Sequence, residues 1–367
     1  MVGKKTQPEL FCDLQAADLD GDGASELVGK TTNGEIFAMD ATGKKMWSRL
    51  FPGVVTAWNA VDLENDARQE VLVYTTEDAC YALAGDGKER WRVDFYAHAR
   101  KQNPEAWGRD WSKYCLSFVT AWRPDAETNR KEVFGFGHTT VTGIRPDLAI
   151  DSTIGSGHVN KFAVSDTSVL GREVLAGGGF NFTLLDRSRK TIAKVPMPGR
   201  LAGNGQLPVF IAVAPVSNEK AKGFMAMNVS SLLWAPAGRW EQGWKQFSDV
   251  PITAYALSDL DGDGCEELVV GGKDGFLRVY RITDGKTLAV VSSGSAPVAG
   301  LVALRDGRLV TASRLGVSLF DRDLRQQAFR SIQATDIVLL KRANSDIVCV
   351  SDNQGRVHAL APDASLP

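Results

Sequence analysis

Two stretches of this 367-residue chain carry carboxylates at the spacing a hard cation requires. DLDGDGASEL, from Asp18 to Leu27, and DLDGDGCEEL, from Asp259 to Leu268, are nearly the same ten residues. Calcium takes about six to eight oxygen ligands, and alternate carboxylates on a tight loop supply them from positions 1, 3 and 5. In the first copy these are Asp18, Asp20 and Asp22; Gly23 allows the turn that aims the Ala24 carbonyl back at the ion, and Glu26 could complete the shell. The second copy offers Asp259, Asp261, Asp263, the Cys265 carbonyl and Glu267 in the same roles. A helical EF-hand is excluded: it needs Glu at position 12, where the two copies have Gly29 and Val270, and β-rich runs follow in both. A weaker copy, DLENDARQEV from Asp62 to Val71, supplies Asp62, Glu64, Asp66 and Glu70, with Glu64 replacing the second Asp and Ala67 the turn glycine. The alternative is an acidic glycine turn without metal; two near-identical copies favour calcium.

A second set of candidates lies in YAHARKQNPEAWGRDWSKY, Tyr96 to Tyr114. Trp107 and Trp111 beside Lys101 and Lys113 suit stacking on sugar rings and pairing with carboxylate or sulfate groups. His98 belongs to this segment, His138 to GFGHTTV and His158 to GSGHVN. A converging histidine trio could bind zinc. One imidazole could instead act as a general base beside Tyr96 or Tyr114, removing the proton alpha to a uronate carboxylate that Arg100 or Arg109 neutralises, which is lyase chemistry. The competing readings are a loop that plugs a channel or covers an edge, and histidines near one another by accident. His358 falls in a predicted strand and reads as structural.

The elements that must position these residues form a repeat. Asp62 lies 44 residues after Asp18, and Trp91 lies 44 after Trp47. GEIFAMDATGKKMW (Gly34 to Trp47) recurs as ACYALAGDGKERW (Ala79 to Trp91). Within one period the pattern is four short strands, VVTAWNAV, EVLVYTT, ACYALAG and ERWRVDF, rich in Val, Tyr, Trp and Phe and bounded by Gly and Asp turns. Four strands in about 40 to 45 residues make a propeller blade. Thr56-Ala57-Trp58 recurs as Thr120-Ala121-Trp122 and as Thr253-Ala254-Tyr255, and outer-hairpin turns recur near Asp186, Asp321 and Asp363. The expected fold is all-β, one β-propeller domain over residues 1–367 of about eight four-stranded blades, with seven as the alternative. GKKTQPELF at the N-terminus matches GKKMWSRLF at Gly43 to Phe51, so an N-terminal strand is expected to complete the last blade and fasten the ring. Trp58 to Trp122 spans 64 residues, so the excess over one period falls on 96–114, an insertion.

Composition sets further bounds. A net charge of -2 and a pI near 6.2 supply no basic field for nucleic acid or anionic membrane. No apolar run approaches the roughly 18 residues of a membrane span. MVGKKTQPEL has no apolar stretch and so no signal peptide. Calcium loops of this kind would stand largely empty at cytosolic calcium, so an extracellular or periplasmic protein in mature form is expected, with a cytosolic one as the alternative. Cys12, Cys80, Cys115, Cys265 and Cys349 are odd in number and form no C-x-x-C motif, so buried free thiols are expected.

The D-x-D-G-D-G-x-x-E loop followed by a β-run resembles the FG-GAP or VCBS repeat of integrin-type and bacterial calcium propellers. The match is specific in the first and sixth blades and degenerate in the second. AMDATGKKMW is similar to the tryptophan-docking repeat of quinoprotein-like propellers, which implies that Trp47 and Trp91 lie between neighbouring blades. The quinone chemistry does not follow, because the adjacent cysteines of such dehydrogenases are missing. Neither resemblance implies an activity.

In a four-stranded blade the loop joining the first two strands lies on one face of the ring, and the turn joining the second and third lies on the other. The acidic loops are therefore expected to be structural pins, with the ligand face opposite. Three functions follow as expectations: binding of glycan, in particular acidic polysaccharide, through the face with the insertion; a polysaccharide lyase on that face; or a scaffold for a protein partner. Exposed tryptophans beside arginine would favour the first two, and a broad apolar patch the third.

Overall fold

Short runs such as VLVY, after Glu70, and LVVGG, after Glu267, are free of charged residues and mostly apolar, whereas ITAYALS alternates and KMWSR is polar at most positions. A sheet that lies between two others buries both faces of its middle strands, one face of its inner strand and little of its outer strand. These patterns therefore assign places within a sheet as well as strand structure. The computed structural model describes residues 11–94, 118–122, 131–136, 140–144, 154–155, 161–165, 174–178, 181–186, 190–196, 210–217, 221–294, 297–343 and 345–361.

Among the described residues the strands form eight antiparallel sheets, each built from strands consecutive in the chain. The first comprises Phe11–Ala17 (β1), Glu26–Thr31 (β2), Ile36–Met39 (β3) and Lys45–Arg49 (β4). The second comprises Val55–Val61 (β5), Glu70–Thr75 (β6), Ala79–Leu83 (β7) and Glu89–Asp94 (β8). The third has Phe118–Trp122 (β9), Glu132–Phe136 (β10), Thr140–Ile144 (β11) and Ile154–Gly155 (β12). The fourth has Lys161–Ser165 (β13), Val174–Gly178 (β14), Asn181–Leu185 (β15) and Thr191–Pro196 (β16). Then come Phe210–Ser217 (β17), Lys222–Asn228 (β18), Ser231–Pro236 (β19) and Lys245–Phe247 (β20). The sixth sheet is Ile252–Ser258 (β21), Glu267–Gly272 (β22), Phe276–Arg281 (β23) and Thr287–Ser292 (β24). The seventh is Val298–Ala303 (β25), Leu309–Ser313 (β26), Val317–Phe320 (β27) and Gln326–Arg330 (β28). The last, Ala334–Leu340 (β29), Ile347–Asp352 (β30) and Val357–Leu360 (β31), has three described strands. The strand that was expected to complete it falls on residues 1–10, outside the described residues.

The first strands meet in cyclic order: β1 packs on β5, β5 on β9, β9 on β13, and so on to β29, which returns to β1. An amide of β1 seals this junction, Leu14 N donating to Asp336 Oδ2 of β29 at 2.7 Å. The molecule is thus a closed β-propeller. Its core is a series of layers between adjacent sheets. Val28, Ile36 and Ala38 pack against Val71, Val73 and Tyr81 between the first two sheets, and Leu27 and Phe37 pack against Leu340 and Cys349 between the first and last. β6 is buried at every position and β22 likewise, β21 alternates, and β4 and β28 are largely exposed, as the sequence patterns require.

Acidic loops and the two faces of the ring

The acidic loops join first to second strands, β1 to β2 and β21 to β22. Each is closed by its own carboxylates. Asp18 accepts the Gly21 amide on Oδ1 (2.7 Å) and the Gly23 amide on Oδ2 (2.9 Å). Asp20 Oδ1 accepts Asp22 N at 3.2 Å, and Asp22 Oδ1 accepts Ala24 N at 2.7 Å. The sixth sheet repeats this with Asp259 on Gly262 (2.8 Å) and Gly264 (3.1 Å), Asp261 on Asp263 (3.0 Å) and Asp263 on Cys265 (2.7 Å). Gly21 and Gly23 hold φ of 82° and 80°, which a side chain resists. The result is that one carboxylate oxygen from each of Asp18, Asp20 and Asp22 lies within 4.8 Å of the others, and the same holds for Asp259, Asp261 and Asp263. Three hard oxygens gathered on an exposed loop fit a calcium ion.

The glutamates are used differently from the aspartates. Glu26 is buried, and its Oε2 accepts the Leu19 amide at 2.9 Å; Glu267 accepts Leu260 N at 3.0 Å and Glu70 accepts Leu63 N at 2.9 Å. Each glutamate pins its loop to the start of the second strand. Burial pushes the carboxyls of Glu26 and Glu267 up from the usual range; the Leu amide opposes this, and the neighbouring aspartates add to it.

The degenerate copy keeps the backbone but has a different charge partner. Asn65 and Ala67 adopt φ of 57° and 69° where the first loop has Gly21 and Gly23. Around it, Arg90 reaches Glu70 at 2.9 Å and Glu64 at 3.8 Å, and Lys131 reaches Asp62 at 3.5 Å. Two side-chain cations thus stand among the carboxylates of this loop. The signal was in the repeat: aligning GKKM, GKER and GKTL puts Met46 and Leu288 at the position of Arg90. The sequence reading treated this loop only as a weaker metal site and missed its internal cations.

Tryptophans lock neighbouring sheets on this same face. Trp47 Nε1 donates to Gly85 O at 2.7 Å and Trp244 Nε1 to Ile282 O at 2.5 Å, each spanning 38 residues to the third-to-fourth turn of the next sheet. Gly87 and Gly285 lie under these indoles, where a Cβ would come 2.7 Å and 2.6 Å from the ring. Trp91 packs in the layer between the second and third sheets, and Trp240 in that between the fourth and fifth. Trp240 and Trp244, four residues apart on the connection between β19 and β20, thus both serve packing. The acidic loops interlock as well: Asp18 N donates to Gln69 Oε1 at 2.8 Å, Gln69 N to Asp18 O at 2.8 Å, and Ser25 N to Lys341 O at 3.1 Å.

The opposite face carries the second-to-third turns and the connections from each fourth strand to the next sheet. It bears most of the exposed large hydrophobic side chains among the described residues: Leu50 (67% exposed), Val54 (63%), Val229, Phe247 (58%), Phe276, Leu315 (58%) and Phe329. Tyr96, His98, Arg100, Lys101, Trp107, Arg109, Trp111, Lys113, Tyr114, His138 and His158 all lie outside the described residues, and with them the whole sequence case for glycan, zinc or lyase chemistry. His358 is structural as expected: it lies 2.8 Å from Asp352 Oδ2, which also takes the Arg356 guanidinium at 2.8 Å. Cys80, Cys265 and Cys349 are free and buried, and burial pushes the Cys80 thiol up to about 12 and Cys349 to about 11, so both are inert.

No protein-family model and no curated protein sequence matches the chain. Solved structures do. Sqt1 from Saccharomyces cerevisiae superposes with a TM-score of 0.68 at 9% identity, covering 97% of this chain and 96% of that one. BamB from Moraxella catarrhalis gives 0.64 at 13% identity, covering 96% and 98%. BBS1N, solved in complex with ARL6DN, gives 0.57 at 13% identity, covering 83% and 94%. All three are propeller-like folds, and at these identities the likeness establishes for this chain what its own sheets show, a β-propeller.

Proposed function

We propose that this protein is a calcium-pinned propeller of the FG-GAP or VCBS type that serves as a scaffold for a protein partner. The observation that carries this reading is the concentration of exposed apolar side chains on the face opposite the acidic loops, chiefly Phe247, Phe276, Leu315 and Phe329 on the fifth to seventh sheets. Scattered exposed leucines mean little, but large apolar side chains gathered at one end of neighbouring sheets mark an interaction surface. The fold is consistent with that use, since BBS1N was solved with ARL6DN bound. Calcium on the two aspartate triplets would stiffen the other face, and loops that fill at about 0.1 to 1 mM calcium support a location outside the cytosol.

Among the described residues Trp47, Trp58, Trp91, Trp234, Trp240 and Trp244 all pack in or against the layers between sheets. The test replaces Phe247 and Leu315 by Asp. Affinity capture with wild type should enrich a partner that the double variant loses, while melting temperature and calcium uptake stay the same. Equal capture by both proteins, or unsaturated products detected by ultraviolet absorbance on uronate polymers, would overturn the reading.

A further inference from the structure

The third-to-fourth connection is five residues long in the first, second, sixth and seventh sheets, for example 40–44 and 282–286, but eight in the fifth, 237–244. The longer segment forms a single 3-10 turn, Trp240–Gln242, and is held at both ends by indoles. Trp240 packs inward beside Phe224 (6.3 Å between ring centres), and Trp244 reaches across to the Ile282 carbonyl. Between these anchors the backbone arches away from the sheet and leaves a cleft of about 840 Å³ between the fifth and sixth sheets, on the face of the acidic loops.

The lining of the cleft carries Lys222 and Arg239 against one carboxylate, Asp284, with Glu241 exposed on the 3-10 turn outside the lining. Lys222 and Arg239 line it with exposed side chains, and neither makes an ion pair among the described residues. The acidic group on its wall, Asp284, is already paired with Arg281 at 3.1 Å. Gln242 adds an exposed amide. Two unpaired cations and a donor around one concavity recognise carboxylates, and the guanidinium does so through a planar fork.

The aromatic lining narrows the choice of ligand. Trp234 is 4% exposed, and Trp244 has one ring face against Gly285 and its N–H on a carbonyl. Trp244 also packs against the buried cluster between these sheets, so the two indoles are used mainly for packing rather than as a platform for a sugar ring. The volume lies within the range of ordinary ligand sites, about 300 to 1,000 Å³. We infer that this cleft binds an acidic peptide segment, its carboxylates taken by Arg239 and Lys222. The site is separate from the apolar face and does not depend on it.

Fluorescence anisotropy with a dye-labelled peptide of alternating Glu and Ser tests this at low and at physiological salt. Wild type should bind, binding should weaken as salt rises, and K222E/R239E should lose at least about tenfold in affinity, the loss expected from reversing two contact charges. Both side chains are exposed and unpaired, so the variant's melting temperature should match wild type and separate lost binding from misfolding. The inference fails if wild type does not bind, or if the variant binds equally well. It also fails if oligogalacturonate or inorganic phosphate displaces the peptide at equal concentration, which would mark a general anion cleft. Failure of the Phe247 and Leu315 variants to lose a partner would leave this result untouched.

Discussion

Calcium should stabilise this protein through two sites and not three. The aspartate triplets at 18, 20, 22 and at 259, 261, 263 each gather their oxygens within 4.8 Å, whereas the 62–70 loop has Arg90 and Lys131 ion-paired to its carboxylates. A ligand that binds only the folded state adds about 2.7 kcal/mol at a hundredfold excess over its Kd, so two sites add about 5.4 kcal/mol. For a chain of 367 residues the unfolding entropy is roughly 0.8 kcal/mol/K, which converts that gain to a rise of about 7 °C in Tm. Scanning calorimetry in EGTA and in saturating calcium measures the shift, and titration calorimetry should count two equivalents. Asp20→Asn keeps an oxygen for the Asp22 amide but removes a charge. In calcium it should lose about half the shift and one equivalent; in EGTA it should melt slightly higher than wild type, because a like charge has gone. Asp261→Asn should behave the same way. A Tm that calcium does not move, or three equivalents, would refute the argument that internal cations replace the ion in the second sheet.

Other consequences follow from single contacts. Trp47→Phe removes the donor to Gly85 O and should cost about 1 kcal/mol, while Gly87→Ala places a Cβ against that indole at a φ of 81° and should cost about 3 kcal/mol in urea denaturation. Burial alone would raise the Asp352 carboxyl, but hydrogen bonds from His358, Arg356 and the Gln354 amide outweigh it and hold the group well below its ordinary value of 3.8. Its contribution to stability is therefore present above pH 3.8 and lost as pH falls through the lower folded value; Asp352→Asn should flatten stability over that acid window, measured as Tm against pH. Deleting residues 1–10 should lower Tm by several degrees if they complete the sheet of β29–β31; an unchanged Tm would reject that closure.

Much of the fold was legible because side-chain periodicity depends on where a strand sits between sheets. The four strands read from VVTAWNAV to ERWRVDF are β5 to β8, and the 44-residue spacing of Trp47 and Trp91 placed both in inter-sheet layers. The acidic loops were legible for a local reason: their geometry is set by bonds between residues two to five apart, such as Gly23 N to Asp18 Oδ2. Less legible were the long-range partners. Glu26 was read as completing the calcium shell; the sequence did not show that its Oε2 also accepts the Leu19 amide.

The sequence alone determined the repeat, the all-β class and the two strong acidic triplets, since each depends on residue types at short, fixed spacing. Tertiary structure decided which charges meet across sheets. It brought Arg90 and Lys131 to the second loop, gave Trp244 a partner 38 residues away, and opened the cleft beside Arg239 by seating Trp240 and Trp244 in different layers between sheets. It also decided which apolar side chains remain outside the core, because exposure at Phe247 or Leu315 depends on the position of the neighbouring sheet, and no local pattern encodes that position.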